Sequence, residues 1–217
     1  MKRNLMMYAT TLLIGGSMVF TSCKDEEAPV ITLKGDSVQV VNLTEAADPG
    51  ATANDDKDGD VSSAITSTYL TAVEKNNVGT YTATYTSSDE SGNTTTKDRT
   101  VKVKGDYLAG SYNVNDVVTG STSGSGTYAY TVTASASADT YNKLTLSDFG
   151  GFNATVYCTV EGTVVTIPSQ NFSGVGVPAG TTISGTGTYD GAAKKFLTIN
   201  YTGTNDVGNG TCTYTKQ

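Results

Sequence analysis

Residues 80–87 read Thr-Tyr-Thr-Ala-Thr-Tyr-Thr-Ser, in which tyrosine or alanine alternates with a hydroxyl residue. Successive side chains of a β-strand point to opposite faces, so this alternation predicts a strand with one buried and one solvated face. Asp89-Glu90-Ser91-Gly92-Asn93 follows and is typical of a hairpin turn. Residues 99–104 then alternate valine with polar residues. The sequence therefore predicts a β-hairpin over residues 80–104.

Shorter strand and turn patterns precede this hairpin. Residues 30–33, 38–40 and 62–70 are strand candidates. Residues 52–60, Thr-Ala-Asn-Asp-Asp-Lys-Asp-Gly-Asp, are too polar for a core, and we interpret them as a loop. About six or seven strands that turn roughly every 8 to 12 residues are typical of an immunoglobulin-like sandwich.

Several short motifs follow one another in this region: Asp48-Pro49-Gly50-Ala51-Thr52-Ala53, Asp55, Asp58-Gly59-Asp60, Val78-Gly79-Thr80-Tyr81, Tyr85, Asp89, Ser91-Gly92-Asn93, Arg99, Val101 and Val103. In this order they resemble the bacterial surface immunoglobulin-like domain, which was named from a pesticidal crystal protein and is related to hyalin-repeat modules. The resemblance covers about residues 29–104. It implies a spacer or adhesion module without catalytic activity.

Glycine becomes frequent after residue 104, and charged residues become sparse. Residues 105–217 hold 17 of the 24 glycines but only seven acidic and four basic residues. Eight strand candidates follow in this region: residues 111–118, 127–134, 143–149, 155–161, 163–168, 181–189, 195–202 and 211–215. Consecutive strands with short turns favour an antiparallel up-and-down sheet that closes into a barrel or sandwich, which removes exposed edges. We therefore predict an all-β protein with an immunoglobulin-like domain at 30–104 and a barrel-like domain at 105–217.

Three segments of the second domain also carry a resemblance. Tyr107-Leu108-Ala109-Gly110-Ser111-Tyr112 resembles the L-x-G-x-Y start of lipocalin-like and other meander-barrel domains. Residues 148–152, Asp-Phe-Gly-Gly-Phe, and residues 166–170, Thr-Ile-Pro-Ser-Gln, follow it. Together they resemble the C-terminal domain of two-domain Bacteroidetes surface lipoproteins of unassigned function.

The chain begins with the pattern of an export signal. Met1-Lys2-Arg3 is basic, and the uncharged, mostly apolar run from Leu5 to Phe20 is too short to span a ~30 Å hydrocarbon layer comfortably. This pattern predicts a signal peptide over residues 1–22. Phe20-Thr21-Ser22-Cys23 resembles the lipobox of bacterial lipoproteins, although leucine is commoner at the first position. The resemblance implies that Cys23 carries a diacylglycerol and begins a tether over residues 23–29.

The acidic stretch Lys24-Asp25-Glu26-Glu27 resembles the signal that exports Bacteroidetes lipoproteins to the outer face of the outer membrane. It implies a lipid-anchored protein exposed on the cell surface, with the membrane as a partner through its anchor. The alternative is an uncleaved anchor helix in which Cys23 is an ordinary thiol.

The composition excludes several functions. Without Lys2 and Arg3, twelve basic residues face 21 acidic residues, which argues against nucleic acid or an anionic lipid surface as a partner. The chain has no histidine, so a Ser-His-Asp or Cys-His arrangement is impossible and the commonest zinc ligand is missing. The seven acids of the second domain form no close pair for glycoside hydrolysis. We expect no enzymatic activity.

The acidic loop is the candidate metal site. Asn54-x-Asp56-x-Asp58-Gly59 matches the first half of a calcium-loop pattern, but Ile65 stands where the closing glutamate is needed, which excludes an EF-hand. A looser calcium site on Asp55, Asp58 and Asp60 is one interpretation. The other is turn chemistry, with carboxylates accepting backbone hydrogen bonds and no cofactor bound.

Cys158 and Cys212 lie in strand candidates of an exported chain, and either a disulfide or two buried thiols fits them. We expect Tyr128 and Tyr130 to belong to the core. Five other tyrosines have two interpretations: they are simply favourable strand residues, or they form a flat aromatic patch for a sugar or peptide. That set is Tyr107, Tyr112, Tyr141, Tyr157 and Tyr189.

Two functional hypotheses follow. The first is a binding or accessory component of an outer-membrane system for nutrient uptake, with a glycan or peptide as the ligand and the ligand-binding residues unknown. The second is a structural or adhesive surface protein with a protein partner, such as an outer-membrane protein, and no small ligand. Both take the immunoglobulin-like domain as a spacer.

Overall fold

A computed structural model describes residues 25–122 and 124–217. The first part is a sandwich of two sheets, which confirms the predicted immunoglobulin-like domain. One sheet has the order β1-β3-β4 and the other the order β2-β7-β6-β5. The strands are β1 (Val30–Leu33), β2 (Val38–Asn42), β3 (Ala51–Asp55), β4 (Gly59–Asp60), β5 (Thr66–Ser67), β6 (Gly79–Ser88) and β7 (Thr94–Lys104).

The hairpin of β6 and β7 is the longest pairing in the sandwich. It is antiparallel and aligns Gly79 with Val103 and Ser88 with Thr94. On its inner face Ala83, Tyr85 and Val101 are fully or almost fully buried, as the alternation predicts. β2 pairs with β7 in parallel. In the other sheet, β1 pairs with β3 in antiparallel orientation.

Two sequence predictions in this domain were wrong. The segment predicted as one loop, residues 52–60, contains most of β3 because Ala53 and Asp55 point inward when β3 pairs with β1. The segment predicted as one strand, residues 62–70, is divided into a 3₁₀ turn at Ser62–Ala64, the two-residue β5 and the start of a short helix, α1 (Tyr69–Ala72). Tyr69 is buried, and its hydroxyl donates to Gln39 Oε1 at 2.8 Å, so tertiary contacts fix this irregular path.

The second part is a closed antiparallel barrel of eight strands, and all eight predicted strands are present. Each strand pairs with the next along the chain, and the last pairs with the first. Closure leaves no free edge, as predicted. The strands are β8 (Gly110–Thr119), β9 (Gly126–Ala136), β10 (Lys143–Phe149), β11 (Ala154–Glu161), β12 (Val164–Asn171), β13 (Thr182–Asp190), β14 (Lys195–Gly203) and β15 (Gly208–Lys216).

The sandwich packs on one end of the barrel. Val78 forms a β-bridge with Gly162, and its amide donates to the Tyr189 hydroxyl at 2.7 Å. Val78 is fully buried, and one continuous cluster of buried apolar side chains extends through both parts. Three further side-chain hydrogen bonds join the parts: Thr80 Oγ1 donates to the Tyr141 hydroxyl, Asn42 Nδ2 donates to the Tyr107 hydroxyl, and that hydroxyl donates to Glu45.

The strand directions define the two ends of the molecule. β6 begins beside the barrel at Gly79, so the turn after Ser88 lies at the far end of the sandwich. Asn93 in that turn donates to the carbonyl of Asp25, which places the start of the described chain there. In the barrel, Gly162 and Tyr189 are at the sandwich end, so the loops after β8, β10, β12 and β14 lie at the opposite end.

Candidate functional site

The barrel has a cavity of about 390 Å³ at the end that faces away from the sandwich. Ligand pockets typically hold about 300–1,000 Å³, so this volume suits a small ligand. Four of its eleven lining residues are aromatic, and the loops after β8, β10 and β14 contribute to the wall. The aromatic lining residues are Tyr128, Tyr130, Phe152 and Tyr201.

A buried carboxylate holds two of these tyrosines. Asp116 Oδ2 accepts hydrogen bonds from the hydroxyls of Tyr201 at 2.9 Å and Tyr130 at 3.2 Å. Burial raises the pKa of the Asp116 carboxyl above its ordinary value, and these hydroxyls oppose that rise. Burial also raises the pKa of both tyrosines, so they stay protonated donors at neutral pH. Asp116 therefore fixes the orientation of two aromatic rings of the cavity wall through their hydroxyl groups.

The sequence analysis did not identify Asp116 as a functional residue, although the alternation along β8 marks its position. Tyr112, Val114, Asp116 and Val118 alternate with exposed residues along β8, so the acid occupies an inward position. A charged residue in an inward register of a small barrel needs partners, which the pattern alone does not identify.

A missing side chain makes room for this arrangement. Gly210 on β15 lies opposite Tyr201 on β14, and a Cβ at Gly210 would overlap the Tyr201 ring. The ring can therefore lie over β15 and carry its hydroxyl to Asp116 on the next strand. This is a close approach that requires glycine.

The structure corrects both predictions about the tyrosines. Tyr128 is not core: it points inward but stands at the mouth of the barrel, where 46% of it is exposed. Tyr130 is half-buried in the cavity wall. The flat patch does not form either, because Tyr112 and Tyr189 are buried, the first inside the barrel and the second against the sandwich. Tyr157 lies on the outer face of β11, partly covered by Lys143.

Cys158 and Cys212 are free thiols, fully buried inside the barrel. They lie on β11 and β15, four positions apart in a ring of eight strands and hence on opposite walls. Facing sheets lie about 10 Å apart, whereas a disulfide needs Cα atoms within about 7 Å. Burial raises the pKa of each thiol to about 12, so both are neutral. The structure therefore agrees with the interpretation of two buried thiols and contains no disulfide between Cys158 and Cys212.

The structure separates the three acids of the predicted calcium site. Asp60 Oδ1 accepts from the Ser62 amide at 2.9 Å, and Asp58 Oδ2 accepts from the Glu90 amide at 2.7 Å. For these two acids the interpretation as turn chemistry fits. Asp55 differs because it is buried at the end of β3, with its Oδ1 accepting from the amides of Lys57 and Asp58.

Asp55 instead meets two acids from other segments. Asp25 comes from the tether and Asp89 from the turn after β6, and one ligand oxygen from each of the three lies within 4.8 Å of the others. All three residues are buried. Sequence reasoning missed Asp25 and Asp89 as site residues; the acidic turn 89–93 is the signal that could have indicated one of them.

The predicted lipid attachment at Cys23 and the signal peptide lie outside the described residues, so the lipobox remains a prediction. In the ranges 25–122 and 124–217, no helix combines the length and the apolar character that crossing a membrane requires.

Comparison with known proteins bears on the sandwich. Residues 31–103 match the family model described as a bacterial surface protein, Ig-like domain. Among solved structures, a lipoprotein from Bacteroides thetaiotaomicron is similar at 16% identity and a TM-score of 0.35, over 87% of this chain and 100% of that chain. No curated protein matches the chain. The N-terminal sandwich is therefore an immunoglobulin-like domain of the kind found in bacterial surface proteins.

Proposed function

We propose that this chain is a lipid-anchored protein of the bacterial cell surface that captures a small glycan and catalyses no reaction. The observation that carries the proposal is the aromatic cavity at the end of the molecule farthest from residue 25. An anchor on Cys23 would leave this cavity facing outward from the outer membrane. The match of residues 31–103 to a domain of surface proteins supports the location.

The cavity wall favours a sugar because two of its tyrosine hydroxyls are already bonded within the protein and leave apolar ring faces for a ligand. The hydroxyls of Tyr130 and Tyr201 are bonded to Asp116, so the rings contribute mainly their apolar faces. Tyr128 stands exposed at the entrance, with its hydroxyl 3.5 Å from the Gly124 carbonyl. Amphipathic aromatic rings of this kind pack against the apolar face of a ligand while their edges stay hydrated.

The first experiment is a glycan and peptide array probed with the chain from Lys24 to Gln217, which contains both parts of the fold. We expect binding to glycans, and a Tyr128→Ala variant that binds about five- to 150-fold more weakly because stacking on an aromatic ring is worth roughly 1–3 kcal/mol. Titration calorimetry with the best glycan measures the loss.

Tyr157→Ala is the matched control, since it removes a tyrosine from the outer face of the same barrel. Equal loss in both variants would argue against the cavity as the site. Binding only to peptides would change the ligand class. An array without binding would favour the adhesive alternative, and capture of outer-membrane proteins would then identify the partner.

A further inference from the structure

The cluster of Asp25, Asp55 and Asp89 lies at the end of the sandwich where the tether enters. The three residues are only 5%, 3% and 8% exposed. They belong to segments far apart in sequence, and their ligand oxygens lie within 4.8 Å of one another. Like charges this close and this well buried are unfavourable unless another group compensates them.

Two oxygens in the cluster have no hydrogen-bond partner. Asp25 Oδ2 and Asp55 Oδ2 are both buried and accept no hydrogen bond. The remaining oxygens are used: Asp25 Oδ1 contacts Lys57 Nζ at 2.7 Å, and Asp89 accepts from the backbone and side-chain nitrogens of Asn93. Buried carboxylate oxygens without partners are rare in folded proteins, and a binding site for an ion is one of the usual reasons.

Lys57 compensates only part of this charge. Its ammonium group contacts a single oxygen of Asp25, and half of its side chain is exposed. One positive charge therefore faces three carboxylates, and the oxygens of Asp25 and Asp55 without a partner receive no hydrogen bond from it.

We propose that Asp25, Asp55 and Asp89 together bind one divalent cation, and that this cation is calcium. Calcium takes six to eight oxygen ligands in flexible geometry, and three carboxylates supply between three and six of them. Magnesium keeps more of its water and needs a tighter octahedron, while softer metals prefer nitrogen and sulfur ligands, which these three residues do not provide.

The bound ion would fasten the tether to the sandwich. Asn93 Nδ2 already donates to the carbonyls of Asp25 at 2.9 Å and Glu27 at 3.0 Å, which holds the tether against the turn after β6. The ion pair between Lys57 and Asp25 is a second link, and a cation adds a third, from the tether to the end of β3. Extracellular calcium modules bind at roughly 10⁻⁴–10⁻³ M, so this site is expected to fill outside the cell.

Calorimetric titration of the chain from Lys24 to Gln217 with calcium chloride tests the site, with thermal unfolding in parallel. We expect one ion per chain, a dissociation constant of about 10⁻⁴–10⁻³ M and an unfolding temperature that rises with calcium. Asp55→Asn keeps the size of the side chain and should weaken binding at least about tenfold. Asp60→Asn, an acid of the same loop outside the cluster, should change it by less than about twofold.

A Lys57→Met variant distinguishes two explanations of the acidic cluster: that it binds a cation, or that Lys57 alone stabilises it. In a cation site the lysine competes for Asp25, so its removal should raise the affinity for calcium, and calcium should restore any lost thermal stability. No heat and no thermal shift in the native chain at about 10 mM calcium would overturn the proposal. So would equal weakening by Asp55→Asn and Asp60→Asn, and magnesium binding tighter than calcium would refute the choice of ion.

Discussion

Asp116 is a single buried acid that positions part of the cavity wall and lowers the stability of the folded protein. It is 1% exposed, its Oδ2 positions Tyr130 and Tyr201, and its Oδ1 accepts no hydrogen bond. A barrel filled with apolar side chains does not need this acid for packing. Its place beneath two rings of the cavity wall is the reason to connect it with binding.

The titration of Asp116 gives a prediction at the residue scale. Burial raises the folded-state pKa of its carboxyl above 3.8, so the folded state binds the proton more tightly than the unfolded state. The free energy of unfolding contributed by Asp116 therefore falls as pH rises from about 4 through the folded-state pKa, and stays low at neutral pH. Asp116→Asn cannot ionise and should escape this loss.

Denaturant unfolding of the native chain and of Asp116→Asn at several pH values between about 3 and 7 measures this effect. The stability of the variant relative to the native chain should increase with pH. Asp139→Asn, at an exposed acid of the same barrel, is the control. A difference between native chain and variant that is independent of pH would show that the buried carboxylate carries no such penalty.

At the scale of the elements, the two sheets of the sandwich are joined through Arg99 on β7. Its side chain is fully buried, and its Nη2 donates to the carbonyls of Lys34 at 2.8 Å and Gly50 at 3.2 Å. Its Nε donates to the Tyr85 hydroxyl at 3.2 Å, and that hydroxyl bonds to Asp48. A planar group with several fixed donors can serve all these acceptors at once.

We therefore expect Arg99→Lys to destabilise the sandwich by at least about 2 kcal/mol, because a hydrogen bond to a charged group contributes about 1.5–3 kcal/mol and a lysine cannot replace all the bonds that the guanidinium makes. Chemical denaturation of the chain from Lys24 to Gln217 measures the change. Lys97→Ala, an exposed position on the same strand, should shift stability by no more than about 0.5 kcal/mol. A lysine variant as stable as the native chain would mean that the carbonyls find water instead.

At the scale of the whole molecule, the contact between sandwich and barrel sets the direction of the cavity. Gly191, in the turn between β13 and β14, lies so close to the sandwich that a Cβ there would overlap the Asn76 carbonyl. Tyr189 beside it bonds across the same contact to Val78. The two parts thus form one elongated body with the tether at one end and the cavity at the other.

Gly191→Ala should force these surfaces apart and destabilise the contact by about 1–3 kcal/mol, as overpacking does. Calorimetry is expected to show one unfolding transition for the native chain and two for the variant, and solution scattering a wider range of shapes. Gly126→Ala is the matched control: it lies at the cavity end, where a Cβ would meet only ordinary contacts. A single transition in Gly191→Ala would show that the domains are held by other contacts.

The sequence by itself determined the longest hairpin of the sandwich and the strands and meander of the barrel, although not the irregular segments 52–60 and 62–70. Alternation with period two reports which face of a strand is buried, and short turns force neighbouring strands to pair. Residues 80–104 and the eight strands of the barrel followed from this local information. The ordered motifs also identified the immunoglobulin-like domain that the family match confirmed.

Only the tertiary structure decided where the sites are. The sequence predicts that Asp55 is part of a polar loop. In the structure it is the buried last residue of β3, because β3 pairs with β1. Its partners Asp25 and Asp89 lie 30 and 34 residues away, and no local pattern encodes that meeting. Tyr128 lies in the same inward register as Val132, but its height along the barrel places it at the open mouth. Alternation specifies a face, whereas depth and long-range proximity are set by strand pairing and closure.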